Sequence, residues 1–325
     1  MEFQPIPCHE SLRPFIRNYW LLTAQCTATG TQQIFSNGAA SLQFYLSEPV
    51  HLTPALEEGK EYRTVLFHQN MQKVGVTCEA GNFIVLGAEF VPFCSRVFFR
   101  TEPDTIYVSP EDMRDEGLAE LARCIYATES TEERVQLLDE FFLQRLAEFP
   151  EGDINIERLG DVFDEVVPTD GSVARPPHCQ DEFSPADLAS TACLSQKQFT
   201  RVFNKYVGMN PKSYLRLLRF HRALQMLRPT PPPLNPPERG EEDATANASL
   251  STAEVTVPPA RGARGVGRVA LQCGYCDLPH MISDFRDICG YSPSELVSTG
   301  AELTEAFGQQ FSGLMKKKIK IENLI

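Results

Sequence analysis

The residues best suited to a chemical task lie in one short block, residues 184–228. This block holds eight Lys and Arg against one Asp, whereas residues 1–183 hold 13 basic and 30 acidic side chains. The block is therefore a basic island in a chain whose net charge is −13. Lys and Arg neutralise phosphate, and Arg and Gln also bond bidentately to guanine and adenine edges. The charge distribution indicates a nucleic-acid interface confined to this block.

A series of helix signals positions these cations. Ser184, followed by proline, predicts the cap of a short helix that ends near Cys193. Ser195 and Gln198 have the spacing of a capping box, which opens a second helix, and Gly208 ends it. A further Pro-started helix follows. The cations thus lie on helices with well-marked ends.

The same arrangement recurs 82 residues further along the chain. Asp277 takes the place of Ser195 and Gly290 that of Gly208, and a proline follows each glycine after two residues. Each copy consists of a short helix, a tight turn, a capped helix, a glycine stop and a Pro-started helix. A short helix and a capped helix joined by a few turn residues form a helix-turn-helix. The sequence predicts two tandem units of this kind.

The two copies, residues 187–211 and 269–293, resemble the C-terminal DNA-binding domain of the AraC/XylS family of bacterial transcription regulators. The segment 12–20, Leu-Arg-Pro-Phe-Ile-Arg-Asn-Tyr-Trp, looks like the sensor half of a subset of this family. The resemblance implies two recognition helices that enter successive major grooves on one face of DNA. A rigid linker helix, here about residues 212–227, would join the two units.

The resemblance also implies which residues contact DNA. In the first copy the exposed face of the recognition helix holds Gln196, Lys197, Gln198, Arg201 and Lys205. In the second copy it holds Leu278, Pro279, His280, Ser283, Asp284 and Arg286. The candidate phosphate contacts of the linker helix are Lys212, Arg216, Arg219 and Arg222. The alternative for any one of these residues is a merely solvated position opposite an apolar stripe.

The second copy is less basic than the first. Residues 266–298 hold two basic and four acidic side chains, and Asp284 and Asp287 would repel phosphate if they faced DNA. We therefore predict that the first copy supplies most of the electrostatic affinity.

A proline-rich insertion over 229–265 separates the copies. Eight of its 37 residues are Pro, three are Gly and none is aromatic, which predicts disorder. A loop four to five times longer than usual costs only about 1–1.5 kcal/mol. The insertion would loosen the spacing of the two units rather than prevent their packing.

The predicted fold class is α+β. A β-rich sensor-like or dimerisation-like domain is expected over 1–110, because Leu42, Phe44 and Leu46 alternate in the manner of a half-buried strand. A helical connector and linker follow over 111–183, and an all-α tandem helix-turn-helix domain over 184–298. A flexible tail over 299–325 completes the chain.

Length and composition exclude several classes of protein. The 325 residues support about two domains, and no apolar run is long enough to predict a transmembrane helix. The N-terminus lacks the pattern of a secretory signal peptide. The ten cysteines are scattered, which is atypical of a disulfide-stapled domain, so the chain is expected in the cytoplasm with reduced thiols.

The sequence contains no catalytic motif. We therefore expect that the protein is not an enzyme and has no catalytic residue, no cofactor and no metal. His51 and His68 flank predicted strands, which leaves a small cupin-like metal enzyme with an accessory helical domain as an alternative. Cys273 and Cys276 have metal-site spacing but no second pair, so they are interpreted as small buried residues. A degenerate regulator that binds protein partners is the other alternative.

The expected main partner is double-stranded DNA at a promoter or operator. Further candidate partners are RNA polymerase, a small-molecule effector and a second copy of the chain, whereas no membrane is expected. Aromatic residues of the β-rich half would line an effector pocket or form ordinary core. The sequence does not distinguish an activator from a repressor.

Overall fold

The computed structural model describes residues 2–34, 36, 38–68, 73–99, 105–149, 153–166, 183–227 and 263–298. Strands dominate the first part of the chain and helices the remainder, which confirms the predicted α+β class. The predicted tail over 299–325 and the insertion up to residue 262 lie outside the described residues, as does most of the predicted linker before residue 183.

Among its described residues, the β-rich part contains nine strands in two antiparallel sheets. The strands are β1 (Glu2–Ile6), β2 (Ile16–Cys26), β3 (Gly30–Ile34), β4 (Ser41–Tyr45), β5 (His51–Thr53), β6 (Thr64–Phe67), β7 (Val74–Cys78), β8 (Gly81–Phe90) and β9 (Tyr107–Val108). The larger sheet has the order β1-β2-β8-β4-β6-β9 and the smaller sheet the order β3-β7-β5. Leu42 and Phe44 are fully buried, as predicted, whereas Leu46 lies beyond the end of β4 and is half-buried. Tyr45 on the opposite face is buried too, so the prediction of a strand buried on one face only is wrong.

Eleven α-helices are present among the described residues. They are α1 (Ser95–Phe98), α2 (Pro110–Met113), α3 (Glu116–Ala127), α4 (Thr131–Glu148), α5 (Ile154–Val166), α6 (Pro185–Thr191), α7 (Gln196–Val207), α8 (Pro211–Leu227), α9 (Ala263–Gln272), α10 (Leu278–Cys289) and α11 (Pro293–Ser298). None of these described helices combines the length and the apolar character needed to cross a membrane.

The predicted end of the disordered insertion is wrong by a few residues. Helix α9 begins at Ala263, so residues 263–265 are helical rather than part of the insertion. The prediction used the average composition of 229–265, which does not reveal a helix that begins in the last three of these residues. Val266, Val269 and Ala270 of α9 are buried, so packing of its apolar face accounts for the helix.

One continuous hydrophobic core connects the β-rich part to the C-terminal helices. Phe142 of α4 packs its ring against Phe90 and Phe98, with centroids 5.6 and 4.9 Å apart. Phe163 of α5 lies 5.1 Å from Phe93 on one side and 5.9 Å from Phe203 of α7 on the other. Helix α5 therefore joins the first helix-turn-helix unit to the sheet domain.

The centre of the larger sheet depends on one close approach. Trp20 of β2 pairs with Gly87 of β8, and a Cβ atom at Gly87 would lie 2.1 Å from Cε2 of the indole. Trp20 is 3% exposed and cannot swing into free space. Only glycine fits beneath this ring.

We expect Gly87→Ala to lower the free energy of unfolding by about 2 kcal/mol, because the added methyl overpacks the indole. Urea denaturation followed by tryptophan fluorescence measures this, since Trp20 is the single tryptophan. Gly267→Ala is the matched control, because a Cβ there meets no atom within 4 Å. Equal stability of the two variants would contradict the packing described here.

Candidate DNA interface

The first helix-turn-helix unit consists of α6 and α7. The side chains of Ser184 and Asp187 cap α6 reciprocally, and Ser195 and Gln198 do the same for α7. The turn between the helices closes where the N–H of Leu194 donates to the carbonyl of Ala189 at 2.9 Å. These caps confirm the helix starts predicted from the sequence.

The second unit repeats this geometry with α9 and α10. Asp277 caps α10 by accepting from the N–H of His280 at 2.8 Å. The helices α7 and α10 both contain 12 residues, and Gly208 and Gly290 end them with φ angles of 85° and 89°. A glycine is required at both ends because L side chains rarely adopt this conformation. The predicted tandem repeat is confirmed among the described residues.

The two turns differ by one residue. In the second unit the N–H of Tyr275 donates to the carbonyl of Ala270, and Cys276 intervenes before the cap Asp277. In the first unit Leu194 directly precedes the cap Ser195. Because of the extra residue, the start of α10 has a different position relative to α9 than the start of α7 has relative to α6.

Helix α7 presents a stripe of three exposed cations. Lys197, Arg201 and Lys205 follow one another at four-residue spacing, and all three are exposed. The helix contains no acidic residue. Its opposite face is buried through Phe199, Phe203, Tyr206 and Val207. We name this set of three cations the basic stripe.

Gln196 and Gln198 have different surroundings although both are exposed. The side-chain oxygen of Gln198 accepts from the Ser195 hydroxyl at 2.8 Å and from its N–H at 3.3 Å. The oxygen of Gln198 is therefore engaged in capping α7. This limits the predicted role of Gln198 in base contact and favours Gln196 as the amide that faces outward.

The predicted DNA face of α10 is only partly exposed. Pro279, Ser283 and Arg286 are exposed, whereas Leu278 is half-buried. His280 is half-buried as well, with its ring 5.3 Å from the ring of Tyr275. This face carries one exposed cation, compared with three in the basic stripe.

The prediction that Asp284 belongs to the exposed face is wrong. Its side chain is 5% exposed and accepts from Arg216 Nε of α8 at 2.7 Å. Arg216 Nη2 also donates to Asp287 at 2.6 Å. We name these three residues the acidic clamp. The clamp directs both carboxylates towards the linker helix, so they do not oppose phosphate, and it engages Arg216 in a protein contact.

The clamp was not predicted, although the internal repeat holds a signal for it. The 82-residue offset aligns Asp284 with Val202, which lies on the apolar side of α7. An acidic residue at an inward position needs a cationic partner, because an unpaired buried charge is costly. Arg216 on the neighbouring helix is that partner.

The cations of α8 differ in their exposure and in their contacts. Lys212 is exposed in the first turn of the helix. Arg219 is half-buried, and its guanidinium lies 5.4 Å from the ring centroid of Tyr275. Lys212 is therefore well placed for a phosphate, whereas Arg219 supports the turn of the second unit.

Three hydrogen bonds between described residues of the β-rich part and the DNA-binding helices were not predicted. The imidazole Nε2 of His221 lies 2.8 Å from the carbonyl oxygen of Ser36. The hydroxyl of Tyr214 donates to the carbonyl of Gly38 at 3.5 Å. Lys73 Nζ donates to the carbonyl of Arg286, near the end of α10, at 3.0 Å. Long-range contacts of this type leave no local pattern in the sequence.

The candidate metal residues differ in their surroundings and exposure. His51 lies 3.7 Å from Glu61 with both side chains mostly exposed, whereas His68 is buried. Cys273 is buried, as interpreted from the sequence, but Cys276 is exposed, so that interpretation is wrong for Cys276. Across the described parts of the chain, no three His, Cys, Asp or Glu side chains are grouped so that they could hold a metal ion.

Comparisons with known proteins support the helix-turn-helix assignment. The profile of a family described as "Helix-turn-helix domain" matches residues 188–235. A regulator of Pseudomonas aeruginosa named HTH-type transcriptional regulator ArgR is 25% identical over 109 residues, which are 34% of this chain. The match spans 23% of that regulator's length.

Solved structures of ToxT from Vibrio cholerae are similar over most of the chain. One ToxT crystal structure is 11% identical and aligns with a TM-score of 0.42 over 87% of this chain and 99% of its own. An unsaturated fatty acid-bound structure of ToxT aligns with the same TM-score over 87% of this chain and 97% of its own.

Proposed function

We propose that this chain, which carries a helix-turn-helix domain, is a sequence-specific DNA-binding transcription regulator of the AraC type. The observation that carries the proposal is the basic stripe on α7, the second helix of the first unit. Three exposed cations without a neighbouring acid on their helix form a surface that suits the phosphates and base edges of a major groove.

In this proposal the first unit makes most of the contacts to DNA bases. Gln196 lies in the first turn of α7, the end of a recognition helix that contacts base edges. Arg201 lies about one turn further and suits a guanine, whose O6 and N7 accept from both arms of a guanidinium. Lys197 and Lys205 neutralise flanking phosphates. Lys212, at the start of α8, extends the phosphate contact.

The second unit supplies fewer contacts. Pro279, Ser283 and Arg286 form its exposed face, with His280 at the margin and only one permanent cation. Its role is to fix register in a second groove, and Arg219 contributes indirectly by supporting the turn before α10. The first unit therefore supplies most of the affinity and most of its salt dependence.

Selection of bound fragments from the genome of the source organism tests the proposal. The full-length chain is incubated with sheared genomic DNA at low salt, and retained fragments are sequenced after several rounds. We expect enrichment of a small set of promoter-proximal fragments, with an affinity that falls as salt rises because counterions are released. Failure to enrich any fragment, together with stoichiometric capture of a protein, would favour the protein-binding alternative. Stoichiometric metal in the purified chain would favour the enzyme alternative.

We also propose that the part of the chain before the first unit senses a small effector, and this proposal rests on a cavity beside that unit. A cavity of about 680 Å³ lies among α1, the α2–α3 junction and the end of α4. It is lined by cations, carboxylates and apolar groups, among them Arg96, Arg114, Glu116, Glu148 and Phe149. Arg96 also lies 6.0 Å from the ring of Tyr206 in α7. A ligand in this cavity would thus reach the recognition helix through a single side chain.

We expect small ligands that carry both charges, such as free amino acids, to raise the melting temperature of the chain. Arg114→Ala removes an exposed cation of the lining and should abolish that rise. Arg123→Ala removes an exposed cation of α3 and serves as the control. An equal rise in both variants would place the ligand elsewhere. RNA polymerase and a second copy of the chain complete the proposed partners.

A further inference from the structure

Two cysteines distant in sequence meet where the two sheets adjoin. Cys26 ends β2 of the larger sheet, and Cys78 ends β7 of the smaller sheet. Their Sγ atoms lie 3.3 Å apart. A disulfide needs a separation near 2.05 Å, so the sulfurs must approach by only about 1.3 Å.

Both thiols are reachable from outside. Cys26 and Cys78 are each partly exposed, whereas Cys8, Cys94 and Cys289 are buried. A cavity of about 270 Å³, lined by the β7–β8 turn and Ser47, includes Cys78 in its wall. A small oxidant can therefore reach the pair without unfolding of the domain.

The two thiols are suited to successive steps. Burial, together with the hydrogen bond to Cys26, raises the pKa of the Cys78 thiol to about 11. Little Cys78 is thiolate at neutral pH, so it is a slow first nucleophile. We therefore assign the first attack on the oxidant to Cys26, and Cys78 resolves the product because its sulfur already lies 3.3 Å away, which compensates for its small thiolate fraction.

We propose that Cys26 and Cys78 form a reversible disulfide when the chain meets hydrogen peroxide. Cys26 attacks one peroxide oxygen and becomes a sulfenic acid, and the other oxygen leaves as water. The sulfur of Cys78 then attacks the sulfur of Cys26, and the hydroxyl leaves as a second water. In total the two thiols lose two protons and two electrons, and the peroxide takes these up to become two waters. A small reducing thiol then returns the disulfide to two thiols by exchange and is itself oxidised to a disulfide.

The pair lies at one end of a ladder whose other end meets the DNA-binding helices. Strand β3 pairs with β7 from Gly30 opposite Cys78 to Ile34 opposite Val74, a length of about 14 Å. Beyond Ile34 the chain continues to Ser36 and Gly38, which contact α8. Directly before Val74 is Lys73, which contacts α10. A disulfide would therefore fix the ladder that carries all three contacts.

The site itself is tested by mass spectrometry of the full-length chain. Protein is treated with a tenfold excess of peroxide, residual thiols are blocked, and non-reduced peptides are analysed. We expect a cross-linked peptide containing Cys26 and Cys78, and a rise in melting temperature of about 5 °C that a reductant abolishes. Absence of this cross-link, with sulfonic acid or other pairings instead, would overturn the proposal.

Matched variants separate the pair from general oxidation. Cys26→Ser and Cys78→Ser should each lose the peroxide-induced rise and keep the melting temperature of the reduced chain. Cys124→Ser removes another partly exposed thiol and should behave as the wild type. A wild-type response in Cys78→Ser would contradict the assignment.

The consequence for DNA binding rests on the proposed function and is measured separately. We expect oxidation to change the affinity for a selected fragment at least about threefold in the wild type, and in neither cysteine variant. If the cross-link forms but affinity is constant, the coupling to α8 and α10 is refuted and the redox site stands. If the reduced chain binds no DNA, the proposed function fails and the redox site again stands.

Discussion

Simultaneous replacement of Lys197, Arg201 and Lys205 by Ala is expected to weaken binding to a selected DNA fragment by about 10³-fold. The two lost phosphate contacts and the lost bidentate arginine contact together contribute about 4 kcal/mol to the free energy of binding. The slope of log affinity against log salt should become shallower by about 2 to 3 units, because the variant releases fewer counterions. Fluorescence anisotropy titrations at several salt concentrations measure both quantities.

We expect the triple variant to leave the fold intact. All three side chains are exposed and Ala is the best helix former, so α7 should retain its helicity. Circular dichroism and the melting temperature therefore serve as controls for folding. Arg123→Ala, which removes a cation of α3, is the control for net charge and should change affinity less than about twofold. If the triple variant bound as tightly as the wild type, the basic stripe would have no part in DNA binding.

The second large effect concerns the acidic clamp. Arg216→Met keeps the bulk of the side chain but leaves Asp284, which is 5% exposed, without its cation. Removal of one partner of a buried ion pair is strongly destabilising, and Arg216 itself is 35% exposed, so we expect a loss of about 3 kcal/mol. Urea denaturation measures this loss. DNA affinity should fall about tenfold, because α10 loses its anchor on α8.

A matched pair of variants tests whether the buried charge causes this loss. Asp287 is 60% exposed, so Asp287→Ala should cost less than about 0.5 kcal/mol. The double variant Arg216→Met with Asp284→Asn should recover part of the stability, because the buried residue is then neutral. A double variant no more stable than Arg216→Met would mean that Asp284 is solvated in the absence of the arginine.

The positions of the helices in the C-terminal half were predictable because their signals are local. Ser184, Ser195 and Asp277 each accept from a backbone N–H three residues further, and Gly208 and Gly290 end their helices. Such features depend on residues within one turn of helix. The repeat made them more specific, since the same signals recur at a fixed offset. The excess of Lys and Arg in residues 184–228 is also a local feature, so it predicted the basic stripe on α7.

The features that were not predicted depend on residues far apart in the chain. Arg216 and Asp284 are 68 residues apart, and Lys73 and Arg286 are 213 residues apart. No periodicity or composition reports which of many charged side chains will meet after folding. Gln198 illustrates a different difficulty, since the same residue type suits a helix cap and an adenine contact. Its geometry in the structure favours the cap.

The most direct measurement is guanine methylation interference on a selected genomic fragment. Methyl groups at N7 block contacts in the major groove, so the pattern reports where recognition helices enter. We predict two clusters of interfering guanines on one face of the DNA, about 10 base pairs apart, with the stronger cluster weakened in Arg201→Ala. Interference at a single cluster that Arg201→Ala leaves unchanged, or no interference in any bound fragment, would contradict a tandem reader whose first unit dominates.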